Sequence, residues 1–327
     1  GGGGFVGLAI VRHLIETGVE TSVVGRRRYH YAAALGARCL VGDIRDREFM
    51  IGSAAGQDTV FHAAAKAGIW GKPETYHSVN VTGTENVIAA CQAHGVQNLV
   101  YTSTPSVIFD GRPVEGGTEA LPYSRRPLCD YAATKITAEK KVLAANSPAL
   151  KTVALRPHLI WGPGDTQIIP RLLDRGRQGK LKIVGTGENR VDITFIDNVA
   201  EAHILAARNL EEGGGAAGEV FFISQGEPVI LWNWINELFG SVGIPPVTGK
   251  ISFRTAYLGG LLLEKIHLLL DLDREPRMTR FLAEQLAMSH WFSIDKARKI
   301  LGYSPTVSNA EGMNRLTVWL EKNQGSM

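Results

Sequence analysis

The sequence predicts an α/β protein: a doubly wound parallel sheet carrying a smaller, mainly helical second lobe. Three observations predict it. Short apolar runs alternate with helix-period segments through the first half of the chain. Gly1, Gly4 and Gly7 stand directly before an amphipathic stretch. After residue 157 the alternation gives way to loops and mostly helical patterns.

Phe5 to Glu16 repeats its apolar residues with helical period and stops before Gly18. "TSVVG" (21–25), "RCLVGD" (38–43), "DTVFHAA" (58–64), "NLVYTS" (98–103) and "KTVALRP" (151–157) read as strands. Each is apolar almost throughout, as parallel strands buried on both faces require. Between them lie helices over Asn80–His94, ending at Gly95, and over Tyr131–Ala145, ending near Asn146-Ser147-Pro148. "GPGD" (162–165) reads as a loop and "QIIPRLLDRGRQGK" as a helix. "LKIVGTGENRVDITFIDNVAEAHILAARNL" reads as strand, turn, strand and a long helix. Gly213 to Gly215 reads as a linker, "EVFFIS" (219–224) as a short strand, and the remainder as mainly helical. The expected division is a dinucleotide-binding domain over 1–160, rejoined around 190–224, and a substrate lobe over most of 161–327.

Composition narrows the partners. The 327 residues carry a net charge of +3, and the longest cationic cluster is Arg26-Arg27-Arg28, so nucleic acid is not the expected partner. Cys39, Cys91 and Cys129 have neither metal-ligand nor redox-pair spacing and read as reduced thiols of a cytoplasmic protein. His62, His158 and His290 also lack ligand spacing, and no metal is expected. In "AYLGGLLLEKIHLLLDL" (256–272), Glu264, Lys265 and His267 interrupt the apolar run. It falls short of the ~20 apolar residues of a spanning helix. It reads as a buried helix, with a lipid-facing lid or membrane-surface helix as the alternative; peripheral membrane or enzyme-complex association is the matching expectation.

Gly1, Gly4 and Gly7 fit the G-x-x-G-x-x-G turn of Rossmann-type dinucleotide domains. The first glycine permits the tight turn, the second lets phosphates approach the backbone, and the third lets helix and sheet pack closely. The first amides of the helix then face the pyrophosphate. A linker remains the other reading of four terminal glycines, but helix and strand follow as the fingerprint requires. The fingerprint usually ends its second strand with an acid; here Arg26 and Arg27 stand in its place. Guanidinium forks match a 2′-phosphate, which favours NADP(H), with NAD(H) as the alternative. Asp43, with Ile44 after it, is placed to meet the adenine, or is a structural turn residue. The fold also calls for a central strand of about six to ten apolar residues before Gly1.

"YAATK" puts Tyr131 and Lys135 one helical turn apart on one face. A neighbouring ammonium lowers a phenol's pKa, which suits proton transfer to or from a carbonyl. "YTSTPS" ends a strand and supplies hydroxyls to polarise that carbonyl.

The ordered set of glycine turn, "DTVFHAAA", "NVTGTENVIAAC", "YTSTPSV", "YAATK", "LRPHLIWGPGD" and "VDITFIDNVAEAH" resembles the extended short-chain dehydrogenase/reductase family over essentially the whole chain. The resemblance is strongest to its 3β-hydroxysteroid dehydrogenase-like branch. "SVIFDGRPVEGGTEALPYSRRP" (106–127) and "LRPHLIWGPGDTQIIPRLL" look like sterol-4α-carboxylate 3-dehydrogenases. "AAKAGIWGKPETYHSVN" (64–80), "ISFRTAY" (251–257) and "REPRMTRFLAEQLAMSHWFS" (274–293) look more like bacterial 2-alkyl-3-oxoalkanoate reductases of long-chain olefin synthesis.

The resemblance implies an oxidoreductase whose apolar substrate carries a 3-oxo or 3-hydroxy acid, acting as a homodimer. It implies Tyr131 as acid/base, Lys135 as its activator and ribose ligand, and Thr104 as the carbonyl-polarising hydroxyl, with Ser103 one register away. Gly1, Gly4, Phe5 and Val6 would line the phosphates. Ala63, Ala64 and Ala65 would flank the adenosine–nicotinamide path, and Pro157, Leu159 and Ile160 would back the nicotinamide. Asn80 supports the site or simply starts a helix. Lys66, Trp70, Tyr76 and Trp161 are expected at the substrate, with a surface loop or core packing as the alternative for each. A nucleotide-sugar epimerase and a non-catalytic NADP-binding protein are the competing classes.

Overall fold

The structure, a computed structural model, describes residues 1–323. In chain order the first half holds α1 (Phe5–Glu16), β1 (Ser22–Gly25), α2 (His30–Ala34), β2 (Arg38–Val41), α3 (Arg47–Ser53) and β3 (Thr59–His62). Then come α4 (Pro73–Tyr76), a π-helical segment His77–Thr82, α5 (Gly83–His94), β4 (Asn98–Thr102), β5 (Val114–Gly117), α6 (Asp130–Ala144) and β6 (Lys151–Pro157). The second half holds β7 (Ile160–Trp161), α7 (Ile168–Arg177), β8 (Ile183–Val184), β9 (Arg190–Val191), β10 (Thr194–Phe195) and α8 (Ile196–Glu211). After these come β11 (Glu219–Ile223), β12 (Val229–Ile230), α9 (Leu231–Ser241), β13 (Lys250–Ile251) and α10 (Phe253–Leu269). The chain closes with α11 (Arg280–Ala287), β14 (His290–Phe292), α12 (Asp295–Leu301) and α13 (Asn309–Lys322).

The main sheet runs β11-β6-β4-β3, all parallel, and β1 pairs with β2 in parallel beside it. Successive side chains alternate between its faces. Leu99, Tyr101 and Ala154 pack against Met50, Val87 and Val142 of α3, α5 and α6. Val100, Val153, Leu155 and Phe221 pack against Ala202, Ala206 and Leu210 of α8. Between β1 and β3 runs a mostly apolar cleft of about 130 Å³, lined by Val23, Val24, Val60 and Phe61 and closed by α1 and α5.

Residues 219–223 return to the main sheet, because β11 pairs with β6 from Glu219↔Val153 to Ile223↔Pro157. A second sheet, β12-β9-β14-β5, joins segments far apart in sequence. Beside it Trp161, Phe195, Trp232, Trp234 and Phe239 form an aromatic core.

Two expectations change. Gly213–Gly215 is a pinned turn and not a loose linker: Asn209 donates to the Ile300 carbonyl at 2.8 Å and accepts from the Ala216 amide at 3.0 Å. The 256–272 stretch forms most of α10 but is not a buried helix; Leu258, Leu262, Leu268 and Leu269 are each at least 60% exposed. Only its Ala256, Gly260, Glu264 and His267 face is buried.

Candidate active site

The glycine turn sits where β1, β3 and α1 converge. Helix α1 begins one residue after Gly4, whose amide donates to the Gly1 carbonyl at 3.0 Å. A Cβ at Gly1 would strike the Ala63–Ala64 backbone, and one at Gly7 would strike Gly1, so only glycine closes this corner. Phe5 and Val6 occupy the first turn of α1, where amide N–H groups have no helical partner. Arg26, Arg27 and Arg28 are exposed at the end of β1, and no carboxylate pairs with them among the described residues. Asp43 is already engaged: Arg45 donates to it at 3.0 and 2.7 Å, and those bonds hold its carboxyl below the usual range. Arg26 adds to that lowering from nearby. The Ile44 carbonyl accepts from Asn86 at 2.9 Å.

Tyr29 is a feature sequence reasoning missed. Its ring fills the space above Gly3 and Gly25 that side chains would occupy, and the Arg27 guanidinium lies 5.8 Å from its centre. The available signal was two glycines, 3 and 25, that the fingerprint does not require.

Thr104 and Tyr131 come together from different elements. Thr104 follows β4, is 9% exposed, and accepts at 3.2 Å from the Ser106 amide. Tyr131 stands in the first turn of α6, half-buried. Burial pushes its phenol up to about 12, and the Thr104 side chain pulls it back. Ser103, the register alternative, is buried, and its hydroxyl has no protein partner among the described residues.

Lys135 departs from expectation. Its ammonium donates to the Thr102 carbonyl at 2.6 Å and lies 4.0 Å from the centre of the Tyr101 ring. It is not what sets the Tyr131 phenol; burial is, and in the opposite direction. Burial also pushes Lys135 itself down to about 7, with Glu139 opposing.

Behind these groups runs a buried hydrogen-bond network. Asn80, in the π-helical segment, accepts from the Lys66 amide at 2.7 Å and donates to the Lys66 carbonyl at 3.2 Å and to Thr134 at 3.0 Å. It thereby ties the loop after Ala65 to α6. Its own carbonyl accepts from Thr84 at 2.6 Å, and Thr84 meets His62 at 2.9 Å. Such π segments recur at functional sites.

The segment expected to back the nicotinamide is buried at Pro157 and half-buried at Leu159 and Ile160. Leu159 has φ 36°, a left-handed conformation that costs a leucine energy and recurs at active sites. The neighbouring His158 meets His290 at 2.6 Å, and His290 donates to the Gln285 carbonyl at 2.9 Å. This tie between β6 and the α11–β14 corner was not legible, since the two rings lie 132 residues apart.

The expected substrate residues divide. Lys66 is half-buried, its ammonium 5.0 Å from the Tyr76 ring. Trp70 donates to the Leu272 carbonyl at 3.1 Å and meets the His267 ring edge-on at 5.8 Å, pinning its loop to the end of α10. Tyr76 is 1% exposed and donates to the Trp70 carbonyl at 3.0 Å; it braces this loop from within. Trp161 is fully buried between Phe195 and Trp234, so it belongs to the core and walls no open pocket.

The corner fits a nicotinamide dinucleotide: close backbone approach at Gly1, first-turn amides of α1 beside it, guanidinium groups without a carboxylate partner among the described residues, and the Thr104, Tyr131 and Lys135 set at the end of β4.

The family model described as the 3-beta hydroxysteroid dehydrogenase/isomerase family matches residues 1–253. The chain is 51% identical over 318 residues to a 2-alkyl-3-oxoalkanoate reductase of Stenotrophomonas maltophilia (strain K279a), covering 97% of this chain and 96% of that one. It is 34% identical over 320 residues to a sterol-4-alpha-carboxylate 3-dehydrogenase, decarboxylating, of Mus musculus, covering 96% and 88%. Among solved structures, MoeE5 in complex with UDP-glucose and NAD superposes with a TM-score of 0.75 at 25% identity, covering 99% of this chain and 98% of that one.

Proposed function

We propose, from the premise that this chain belongs to the 3-beta hydroxysteroid dehydrogenase/isomerase family and is an NAD(P)-dependent oxidoreductase, that it reduces a 2-alkyl-3-oxo acid to the 3-hydroxy acid with NADPH. What supports the reading is that Thr104 acts on the Tyr131 phenol and Lys135 bonds the Thr102 carbonyl at the end of β4, in a chain half identical to a reductase of that name. A nicotinamide held there would supply the hydride that the 3-oxo carbon takes up. Thr104 and Tyr131 hold the carbonyl oxygen. Tyr131, kept protonated by burial, gives its proton to that oxygen as negative charge develops on it. Lys135, one turn further along α6 and anchored on the Thr102 carbonyl, would hold the ribose side. Gly1, Gly4, Phe5 and Val6 would take the pyrophosphate, and Arg26 with Arg27 the 2′-phosphate. Tyr29 stiffens the Arg27 side of that pocket from beneath.

The sterol-4-carboxylate reading is the second. It is favoured by the 34% relative, and it involves the same chemical unit on a different apolar body. Both readings are tested by following NADPH oxidation and the reverse reaction on a 2-alkyl-3-oxo acid, a 4-carboxysterol and a UDP-sugar. Turnover is expected on the first. Tyr131→Phe should lower kcat by about 10²–10⁴-fold while NADPH still binds. Turnover retained in that variant, or confined to the UDP-sugar, overturns the reading.

A further inference from the structure

Ten large hydrophobic side chains are exposed among the described residues, and six of them lie between Leu258 and Leu270. They are not scattered. Leu258, Leu262, Ile266 and Leu269 repeat at four, four and three residues, which makes one stripe along α10. Ala256, Gly260, Glu264 and His267 repeat in the same way two residues out of step, so they form the opposite, buried stripe.

The charges divide with the faces. The only carboxylate of α10 is Glu264, which faces inward and accepts from the Arg280 amide at 2.6 Å and from its Nε at 2.7 Å. The exposed charges are Arg254 and Lys265, both positive, four residues before Leu258 and four before Leu269. The outer face of α10 is therefore leucine and isoleucine with two cations and no acid. Beyond the helix, exposed Asp271 and Asp273 are balanced by exposed Arg274 and Arg277.

We propose that this face docks on the surface of an anionic phospholipid bilayer. The helix lies in the interface, its leucines in the acyl boundary, while Arg254 and Lys265 reach lipid phosphates over their own aliphatic stems. It does not cross: no helix among the described residues is long and apolar enough to span a bilayer. A second copy of the chain is a poorer occupant, since pairing two such helix faces sets four cations among leucine and isoleucine, and the nearest exposed carboxylates, Asp271 and Asp273, lie beyond the helix beside Arg274 and Arg277. The buried side of α10 gives docking a purpose. The helix end holds Trp70 through the Leu272 carbonyl and the His267 ring, so docking sets the edge of the substrate loop at the lipid surface. An apolar acid partitions there; only this purpose rests on the reductase reading.

The test is co-sedimentation of the full chain with vesicles of phosphatidylcholine alone and with about one-third phosphatidylglycerol. Neither substrate nor NADPH is present, so failure of the reductase reading leaves the result untouched. Binding at least about tenfold tighter to the anionic vesicles is expected, weakening with salt. Leu262→Asp with Leu269→Asp should abolish it. Arg254→Gln with Lys265→Gln should remove the preference for anionic lipid. NADPH oxidation with a short, water-soluble 3-oxo acid should stay within about twofold in both, since these side chains point away from the fold. Equal or absent binding to the two vesicle types overturns the proposal, as does unchanged binding by the aspartate variant. A concentration-dependent dimer in sedimentation velocity that Leu262→Asp abolishes would make the face a contact between copies and also overturn it.

Discussion

Burial and charge oppose each other at Lys135. The side chain is 2% exposed, and its only hydrogen bond among the described residues goes to the Thr102 carbonyl. Its pKa near 7 means that neutral pH divides it between ammonium and amine, whereas Tyr131, near 12, stays a proton donor throughout. A dinucleotide ribose offering acceptors to Lys135 favours the ammonium, so binding above pH 7 should draw in a proton. Calorimetry at pH 8 in buffers of different ionisation enthalpy should show uptake approaching one proton on NADPH binding, and Lys135→Met should remove it. Uptake unchanged in that variant would detach the proton from Lys135. At the proposed 2′-phosphate end, Arg26 and Arg27 have no carboxylate ion-pair partner among the described residues. Arg26→Ala with Arg27→Ala should weaken NADP binding by about 10–100-fold, as the loss of one or two charge-assisted contacts implies. NAD affinity should move less than about threefold. Equal losses for both cofactors would point to a fold defect instead of lost phosphate recognition.

Helix α11 carries the clearest stability prediction of any single element. Glu284 is 5% exposed, and one of its carboxylate oxygens has no partner among the described residues. Burial pushes it up to about 7, against the pull of Arg280, with Asp110 and Glu264 adding to the rise. A carboxyl raised in the folded state favours folding less as pH climbs from its unfolded value toward its folded one. Glu284→Gln should therefore gain stability relative to the native chain on going from pH 5 to pH 8, by about 2 kcal/mol. Urea melts at the two pH values read this directly, and a pH-independent difference would refute it. Elements were legible where local pattern decides them. The α1 and β6 boundaries fall where periodicity and apolar content put them, Phe5–Glu16 and Lys151–Pro157. The stretch read as one helix from Asn80 instead begins within a π turn at His77–Thr82, from which Asn80 reaches Lys66 and Thr134 at once. The pairing of β14 with β5 joins His290 to Val114, and no local pattern announces it. Trp161 was ambiguous for a related reason: in a two-residue strand, the distant partners Phe195 and Trp234 decide which way the ring faces.

At the scale of the whole molecule, the question is what couples the main sheet to the last helix. Much of the answer converges on Asn198, fully buried in the first turn of α8. Its amide donates to Gln225 at 2.6 Å and to the Val307 carbonyl at 2.8 Å. Its oxygen accepts from the backbone of Thr306 and Val307, each at 3.0 Å. Gln225 completes the knot by donating to the Val307 carbonyl at 2.7 Å and accepting from the Phe195 amide at 3.2 Å. One side chain thus joins a helix on the main sheet, the chain just past β11, and the turn that feeds α13. Alanine there would strand several buried polar groups at once, each costing about 1–3 kcal/mol when unpaired. Some can turn to a water in the space left behind, so the expected net loss is about 3–4 kcal/mol. The loss should appear as one cooperative transition at lower temperature, because the same knot holds both sides. Calorimetry that instead resolves an early, separate melting of the C-terminal helices would mean that α13 depends on Asn198 while the sheet does not. A shift below about 1 kcal/mol would mean that the aromatic core around Trp161 and Phe195 carries the coupling by itself. Asn198→Asp separates geometry from chemistry: it keeps the acceptor toward Thr306 and Val307 but loses the donor and adds a buried charge. It should be at least as damaging as alanine at pH 8 and recover toward low pH, as the carboxyl takes up a proton and regains a donor.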